Sequence, residues 1–100
     1  MDAVVGMLHL CNKAGRLVFG REAVLSRAAR GEIALILITS DAGVDLRRKL
    51  SGHKVVELAW SAAEFGRFFG RNLLSVTGVR DIGFAVEIEK LLDARRVEEK

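Results

Sequence analysis

The sequence predicts an α/β domain in which helices cover both faces of one small sheet. Helix-like and strand-like hydrophobic patterns alternate at short spacing along the chain, which is typical of α/β folds. Residues 33–39 form the uninterrupted apolar run IALILIT, whose length and β-branched content indicate a strand covered on both faces. The chain has 100 residues, and 50% of them are hydrophobic, so residues 1–100 are expected to form one domain with a buried core.

The first two elements are a helix and a short extended segment. Val4, Leu8 and Cys11 recur at spacings of four and three residues, which predicts a helix over residues 3–13 with this face inward. Residues 16–19 then form a short strand.

A second helix is predicted between two glycines, in the segment GREAVLSRAARG. It spans residues 21–30 and turns Val24, Leu25 and Ala28 inward. Gly31 ends it, because glycine adopts the left-handed conformation at little cost.

The middle of the chain contains the central strand, a third helix and another strand. Ser40 or Asp41 is expected to cap the third helix, over residues 42–51, by accepting a hydrogen bond from its first turn. Residues 54–58 form the next strand.

A capping box marks the fourth helix. Ser61 is its N-cap and Glu64 follows three residues later, so each side chain is expected to bond the other residue's backbone N–H. Gly70 closes the helix. Its apolar stripe consists of Phe65, Phe68 and Phe69.

The last strand covers residues 75–79, and Asp81 caps the last helix. Residues 95–100 are expected to fray. The buried stripe of this helix consists of Phe84, Ile88, Leu91 and Leu92.

Composition excludes several classes of protein. No stretch reaches the ~18 consecutive apolar residues of a membrane helix, and MDAVVGMLHL lacks the pattern of a signal peptide. Cys11 is the only cysteine, so no internal disulfide forms, as expected in a reducing compartment. We expect a cytoplasmic monomer that makes no use of a membrane.

Positive charge is concentrated on the main body of the chain. The first 80 residues contain 12 Lys and Arg against 7 Asp and Glu, whereas the last 20 contain 4 against 6. This distribution fits a polyanionic partner, although charged residues also simply solvate surfaces.

Catalytic and metal-binding patterns are not found in the sequence. His9 and His53 are isolated, and no phosphate-binding glycine motif occurs. Cys11 lies on an apolar helix face, where burial leaves a thiol inert. Asp41 follows the central strand, where open α/β sheets place ligands, but a helix cap explains it equally. We therefore expect no enzyme activity, no cofactor and no metal.

The start of the second helix is a better candidate for binding. Its free backbone N–H groups and its positive dipole end attract anions, and Gly20 allows close approach of a ligand. Arg21 adds a planar, permanently charged group. The alternative interpretation is an ordinary helix start with a solvated arginine.

Several segments, taken in order, resemble the L-seven-Ae/L-thirty-e ribosomal protein superfamily, in particular its small bacterial members. They are NKAGRLVFGREAVLSRAARG followed by ALILITSDAG, then Glu64-Phe65-Gly66 with Gly70, and finally TGVRDIGFA at residues 77–85. The similarity runs from about residue 4 to residue 93.

The resemblance implies a three-layer α-β-α sandwich with a mixed four-stranded sheet. Many members of the family bind RNA kink-turns, which are sharply bent internal loops held by tandem sheared G·A pairs. The first turn of the second helix enters the groove and contacts those pairs. A loop before the last strand covers an extruded base, and basic residues contact the flanking phosphates.

The second helix matches the family pattern only in part. Strong binders carry Gly-x-Asn-Glu with a lysine four residues after the asparagine. Here Gly20 matches, but Glu22, Ala23 and Ser26 occupy the asparagine, glutamate and lysine positions. A lost lysine contact to guanine is worth ~1–3 kcal/mol. Glu22 is repelled by RNA unless it accepts a hydrogen bond from a guanine amino or imino group.

Further residues are implied as RNA contacts by the same resemblance. Leu73 and Leu74 are candidates to pack on an unstacked base, although they equally fit the start of the last strand. The basic run at residues 47–49 is interpreted as a solvated face. The remaining candidates are Arg21 and Arg27 beside the altered positions, Lys13, Arg16 and Arg71 for phosphates, and Asn72 in the loop.

Two functions remain open at this point. The first is a non-catalytic RNA-binding protein that recognises a kink-turn or related internal loop in ribosomal or regulatory RNA, with the ribosome as a candidate partner. The second is a protein-interaction module on the same fold with weak or no specific RNA binding.

Overall fold

The computed structural model describes residues 2–98, and it describes side chains as far as residue 95. Within this range five helices alternate with four strands, so the predicted α/β fold class is confirmed. The helices are α1 (Ala3–Lys13), α2 (Arg21–Ala29), α3 (Val44–Lys49), α4 (Ala62–Arg67) and α5 (Ile82–Glu98). The strands are β1 (Leu17–Phe19), β2 (Leu35–Ile38), β3 (Val55–Glu57) and β4 (Val76–Val79).

The four strands form one mixed sheet in the order β1-β4-β2-β3. β4 runs antiparallel to both of its neighbours, with Thr77 opposite Phe19 on one side and opposite Leu37 on the other. β2 and β3 are parallel. β4, the last strand in the chain, therefore lies inside the sheet, and β1 forms one edge.

Side chains that alternate along the strands build two apolar layers. Leu35 and Leu37 pack against α1, α4 and α5, whereas Ile36 and Ile38 pack against α2 and α3. All four side chains of β2 are buried, as the uninterrupted apolar run predicted. The three-layer α-β-α sandwich follows directly from this two-sided burial.

Asp41 caps α4 and not α3, which corrects the expected role of this residue. Its carboxylate accepts a hydrogen bond of 2.9 Å from the N–H of Ala62, and α3 begins after Gly43 without a side-chain cap. Hydrogen bonds from Thr39 and from the Ala62 backbone hold the pKa of Asp41 below its usual value. α3 is accordingly shorter than predicted, because no side chain stabilises an earlier start.

The capping box at the start of α4 is present as predicted. The Ser61 hydroxyl accepts from the N–H of Glu64 at 3.1 Å, and the Glu64 carboxylate accepts from the N–H of Ser61 at 3.0 Å. Hydrogen bonds to the Glu64 carboxylate from the Ser61 backbone, and then from the Ser61 side chain, lower the pKa of Glu64. α4 ends at Arg67, before the predicted Gly70.

The turn after α4 packs tightly against the helix itself. Gly66 is buried, and its carbonyl oxygen accepts from the N–H of Arg71 at 2.9 Å. A Cβ atom at position 66 would lie 2.7 Å from the Arg71 carbonyl oxygen. Only glycine therefore permits this approach of the loop at residues 71–75, which positions part of the candidate site.

The last helix is longer than expected. The Asp81 carboxylate accepts from the N–H of Phe84 at 3.1 Å, as predicted for the cap. α5 continues to Glu98, so fraying from residue 95 onward is wrong for the described part, and residues 99–100 lie outside the described residues. No described helix has the length and hydropathy to cross a membrane.

Candidate nucleic-acid interface

The first turn of α2 is open at its N-terminal end. Gly20 occupies the N-cap position with φ 89° and ψ 160°, a backbone conformation that favours glycine, and no side chain caps the helix. The N–H of Gly20 donates to the Val76 carbonyl at 3.1 Å, which anchors this turn to the start of β4. The N–H groups of residues 21–23 have no earlier turn to bond, so the positive end of the helix faces outward.

Glu22 and Ser26 lie on one exposed face of α2, one helical turn apart. Ala23 is half-buried and packs against the apolar layer beneath α2. Two of the three positions at which this sequence departs from the family pattern therefore remain accessible to a ligand.

Arg21 is held by a carboxylate from the next helix. Its Nη2 lies 2.5 Å from Oδ2 of Asp45, and Nζ of Lys49 lies 3.6 Å from the same oxygen. The Arg21 hydrogen bond, followed by the charge of Lys49, lowers the pKa of Asp45, so this carboxylate is charged at neutral pH. A phosphate that binds Arg21 must compete with Asp45.

A groove of about 320 Å³ opens beside this ion pair, between α2, α3 and the loop before β4. Its walls bring together residues from three separate segments of the chain. The groove is lined by Gly20, Arg21, Gly43, Asp45, Leu46, Arg71, Leu73, Leu74, Ser75 and Val76. Three of these residues are buried apolar side chains, Leu46, Leu74 and Val76. An apolar groove with charged groups at its sides suits a flat, partly polar ligand.

Arg71 is positioned over an aromatic ring. Its guanidinium carbon lies 4.6 Å from the centroid of the Phe19 ring, a geometry that allows a cation–π interaction. Phe19 in turn contacts the Phe69 ring, with centroids 5.1 Å apart. The last residue of β1 therefore places an arginine at the groove beside the start of α2.

The two loop leucines have different environments, which corrects one of the two assignments. Leu73 is 71% exposed at the edge of the groove, whereas Leu74 is only 3% exposed and belongs to the core. The N–H of Leu74 donates to the Ala62 carbonyl at 3.0 Å, which fixes it against α4. Leu73 remains available to a base, together with exposed Asn72 beside it, but Leu74 is not.

The structure places Lys13, Arg16 and Arg27 away from the groove. β1 separates Arg16 from Gly20 by about 13 Å, because a strand advances ~3.3 Å per residue. α2 runs back in the opposite direction and carries Arg27 about 10 Å from its own start, where Arg27 pairs with Glu32 at 3.0 Å. These three residues do not line the groove at the α2 start, and their contact with RNA stays a prediction.

One residue of the basic run on α3, Arg47, has a structural role that was not predicted. Arg47 donates to the Ala42 carbonyl at 2.9 Å and to the Glu57 carboxylate at 2.6 Å, so it ties α3 to the ends of β2 and β3. Arg48 and Lys49 are exposed, as a solvated face requires.

Sequence reasoning missed Asp45 and Phe19 as parts of this site. Asp45 comes near the α2 start only through the chain topology. Phe19 directly precedes Gly20, but its contact with Arg71 depends on the fold, and neither residue belongs to a local motif. The signal available in the sequence was weak: an acidic residue in the first turn of α3, and an aromatic residue directly before Gly20.

Other candidate groups are consistent with structural roles. Cys11 is buried, and desolvation, with a smaller contribution from the Asp81 charge, raises its pKa to about 11. Its thiol therefore stays protonated near neutral pH. Among residues 2–95, no group of three or more His, Cys, Asp or Glu side chains could hold a metal ion.

Comparison with known proteins identifies relatives over most of the chain. RNA-binding protein YlxQ of Bacillus subtilis is 32% identical over 95 residues, which cover 87% of this chain and 92% of the relative. A Bacillus halodurans protein of unknown function has a similar structure, with a TM-score of 0.81, 26% identity and coverage of 93% of this chain and 99% of that one.

A more distant structure shares the fold. The 15.5 kD RNA-binding protein of Giardia lamblia superposes with a TM-score of 0.64 at 17% identity, covering 90% of this chain and 85% of the other. No protein-family model matches the chain.

Proposed function

Because the chain belongs to the same family as RNA-binding protein YlxQ, within the L-seven-Ae/L-thirty-e ribosomal protein superfamily, we propose that it is a non-catalytic RNA-binding protein. We further propose that its target is a kink-turn or related internal loop in ribosomal or regulatory RNA, bound by a monomer in the cytoplasm. The observation that carries this proposal is the uncapped start of α2 beside a groove that holds two arginines.

The α2 start supplies the groups that such a target requires. Backbone N–H groups and the helix dipole attract a phosphate or the acceptor atoms of a base edge. Arg21 donates to Asp45 in the free protein. When RNA binds, Arg21 releases Asp45 and donates to a phosphate, so it makes a charge-assisted hydrogen bond in the free and in the bound protein. Glu22 accepts from guanine amino and imino groups, because a carboxylate only accepts hydrogen bonds.

The extruded base binds in the groove and against its edge. Leu73 covers the base from outside, and Arg71 contacts the neighbouring phosphate from its position above Phe19. Bases without pairing partners stack readily on apolar and planar side chains. Ser26 is shorter than a lysine, so its contribution is confined to a hydroxyl hydrogen bond.

A titration with labelled RNA tests the proposal. Purified protein is added to a kink-turn RNA that carries a donor and an acceptor dye on its two ends, and to the same RNA with its G·A pairs disrupted. We expect tight binding, with increased energy transfer, only for the intact kink-turn. Equal and weak binding to both RNAs would overturn kink-turn recognition and favour the protein-interaction module.

A second function would use the same edge of the molecule. Val44 and Leu73 are 72% and 71% exposed, and large apolar side chains at a surface also suit a protein partner. A partner bound there would not depend on G·A pairs or on salt in the manner of RNA, so the titration distinguishes the two functions.

Leu73→Ser is expected to weaken kink-turn binding about three- to ten-fold without loss of stability, because covering a base buries apolar leucine surface worth ~1 kcal/mol and this leucine is exposed in the free protein. The matched change Leu74→Ser should instead lower the melting temperature, since Leu74 is buried. Affinity and thermal unfolding are measured for both variants. A stable Leu74→Ser protein, or unchanged affinity for Leu73→Ser, would contradict the assignment of the two leucines.

A further inference from the structure

Half of the cations with described side chains make no ion pair. Residues 2–95 contain 14 lysines and arginines, and seven of them take part in ion pairs. The other seven are Lys13, Arg16, Arg30, Arg48, Arg67, Arg71 and Arg80. Of these, only Arg71 lines the groove at the start of α2.

Four of the unpaired cations lie at the end of the sheet opposite that groove. Lys13 ends α1 and Arg16 precedes β1, while Arg30 is the C-cap of α2. The N–H of Arg80 donates to the Arg16 carbonyl at 2.8 Å, which joins the end of β4 to the start of β1. We call Lys13, Arg16, Arg30 and Arg80 the distal basic patch.

Few negative charges offset this patch. Glu32 and Asp81 lie at the same end of the sheet. Glu32 is paired with Arg27, whereas the Asp81 carboxylate accepts from a neutral donor, the N–H of Phe84, and so offsets one of the four positive charges. The end of the molecule opposite the groove therefore keeps a surplus of positive charge.

Arg80 has an unsatisfied donor. Its Nε is buried and has no hydrogen-bond partner among the described residues, although the side chain as a whole is half-buried. A buried donor without an acceptor costs free energy. The fold therefore encloses the Nε end of this half-buried side chain, and contact with an external anion is left to its terminal guanidinium nitrogens.

Helix dipoles explain only part of the distal basic patch. Cations at helix C-termini are stabilised by the dipole, which accounts for Lys13 at the end of α1 and Arg30 at the end of α2. Arg16 lies in the turn before a strand, and Arg80 follows a strand. A helix dipole therefore does not account for the positive charges of these two residues.

We propose that the distal basic patch is a second phosphate-binding surface, which contacts an RNA arm that extends from the site at the start of α2. The proposal rests on the RNA-binding function proposed above. The backbones of Arg16 and Gly20 are about 13 Å apart along the edge strand β1, a separation that a few nucleotides span. The β1 edge of the protein therefore contacts the bent element near Gly20 and an adjoining duplex near Arg16.

The test uses three RNAs that share one kink-turn. In the first both arms are short, and in each of the others one arm is longer by about one helical turn. The variant is Arg16→Gln combined with Arg30→Gln, because both side chains are exposed. The hydrogen bond between Arg80 and Arg16 uses only backbone atoms, so the substitution leaves it in place. Lys90→Gln on α5 is the control for loss of a positive charge outside the patch, and thermal unfolding verifies that each variant is folded.

We expect the double variant to lose about three- to ten-fold in affinity for one long-arm RNA and almost nothing for the short-arm RNA. The slope of log K against log salt for that long-arm RNA should also become shallower by about one to two, since each lost phosphate contact removes ~0.9. Lys90→Gln should change neither quantity.

Equal affinity of the double variant and the native protein for every RNA would overturn the second surface. An equal loss on short and long arms would also overturn it, because the contact would then not involve an arm.

Arg21→Gln, measured with the same RNAs, separates the second surface from the proposed function. If Arg21→Gln weakens binding and the double variant does not, the proposed function stands alone. If binding ignores the G·A pairs and still depends on arm length, the second surface stands and kink-turn recognition fails.

Discussion

Arg21→Glu is expected to lower the affinity for a kink-turn RNA by about 100-fold or more and to leave the melting temperature nearly unchanged. The substitution removes a charge-assisted hydrogen bond to the target, worth ~1.5–3 kcal/mol, and adds repulsion between a carboxylate and the RNA. Each 1.4 kcal/mol corresponds to a factor of about ten. The new side chain also faces Asp45, whose carboxylate accepts from Arg21 in the native protein.

Stability should change little because the Arg21–Asp45 pair is exposed on both sides. Exposed ion pairs contribute ~0–1 kcal/mol to the free energy of unfolding, and the two carboxylates can turn toward solvent. Lys90→Glu provides the control, since it makes the same change in net charge on α5. Affinity is measured by titration and stability by thermal unfolding. A large loss of stability with native affinity would show that Arg21 supports the fold and not the interface.

Gly66→Ala is expected to destabilise the protein by about 1–3 kcal/mol, the usual cost of overpacking a filled interior. The added Cβ would lie 2.7 Å from the Arg71 carbonyl oxygen and 3.3 Å from the carbonyl carbon of Asn72. These are backbone atoms, so the loop has to move as a whole. For a domain of this size each kcal/mol lowers the melting temperature by ~4–8 °C.

The matched control is Gly6→Ala in the interior of α1. Nothing lies within 4 Å of a Cβ at this position, and alanine favours a helix over glycine by ~1 kcal/mol, so this variant should be slightly more stable than the native protein. Gly66→Ala should also weaken RNA binding, because the displaced loop carries Arg71 and Leu73. Equal melting temperatures for the two variants would contradict the close approach at Gly66.

Most helices and strands could be predicted because their signals are local. The burial of all of β2 follows from one apolar run, and the capping box at Ser61 and Glu64 is two residues within one helical turn. Boundaries were less accurate where the deciding contact is distant. Asp41 was assigned to the nearest helix, but it bonds Ala62, 21 residues further along the chain.

The candidate site was predicted unevenly for the same reason. Gly20 and Arg21 are adjacent in the sequence and mark the start of a helix, so the sequence alone identifies them as candidates. The difference between Leu73 and Leu74 was not predictable, because it depends on which of two neighbouring side chains faces α4 and the core. Arg16 was placed near α2 on the basis of the family resemblance, and the strand β1 between Arg16 and Gly20 puts it at the end of the sheet opposite the α2 start.

The sequence by itself determined the number, type and order of the described elements, since hydrophobic periodicity and capping act over a few residues. It also determined membership of the family, because the motifs occur in order over nearly the whole chain. Only the tertiary structure decided that Asp45 holds Arg21, that Phe19 supports Arg71, and that the ends of β4 and β1 bring Arg80 beside Arg16. Those contacts join residues far apart in the chain, and they arise from the strand order β1-β4-β2-β3, which no local pattern specifies.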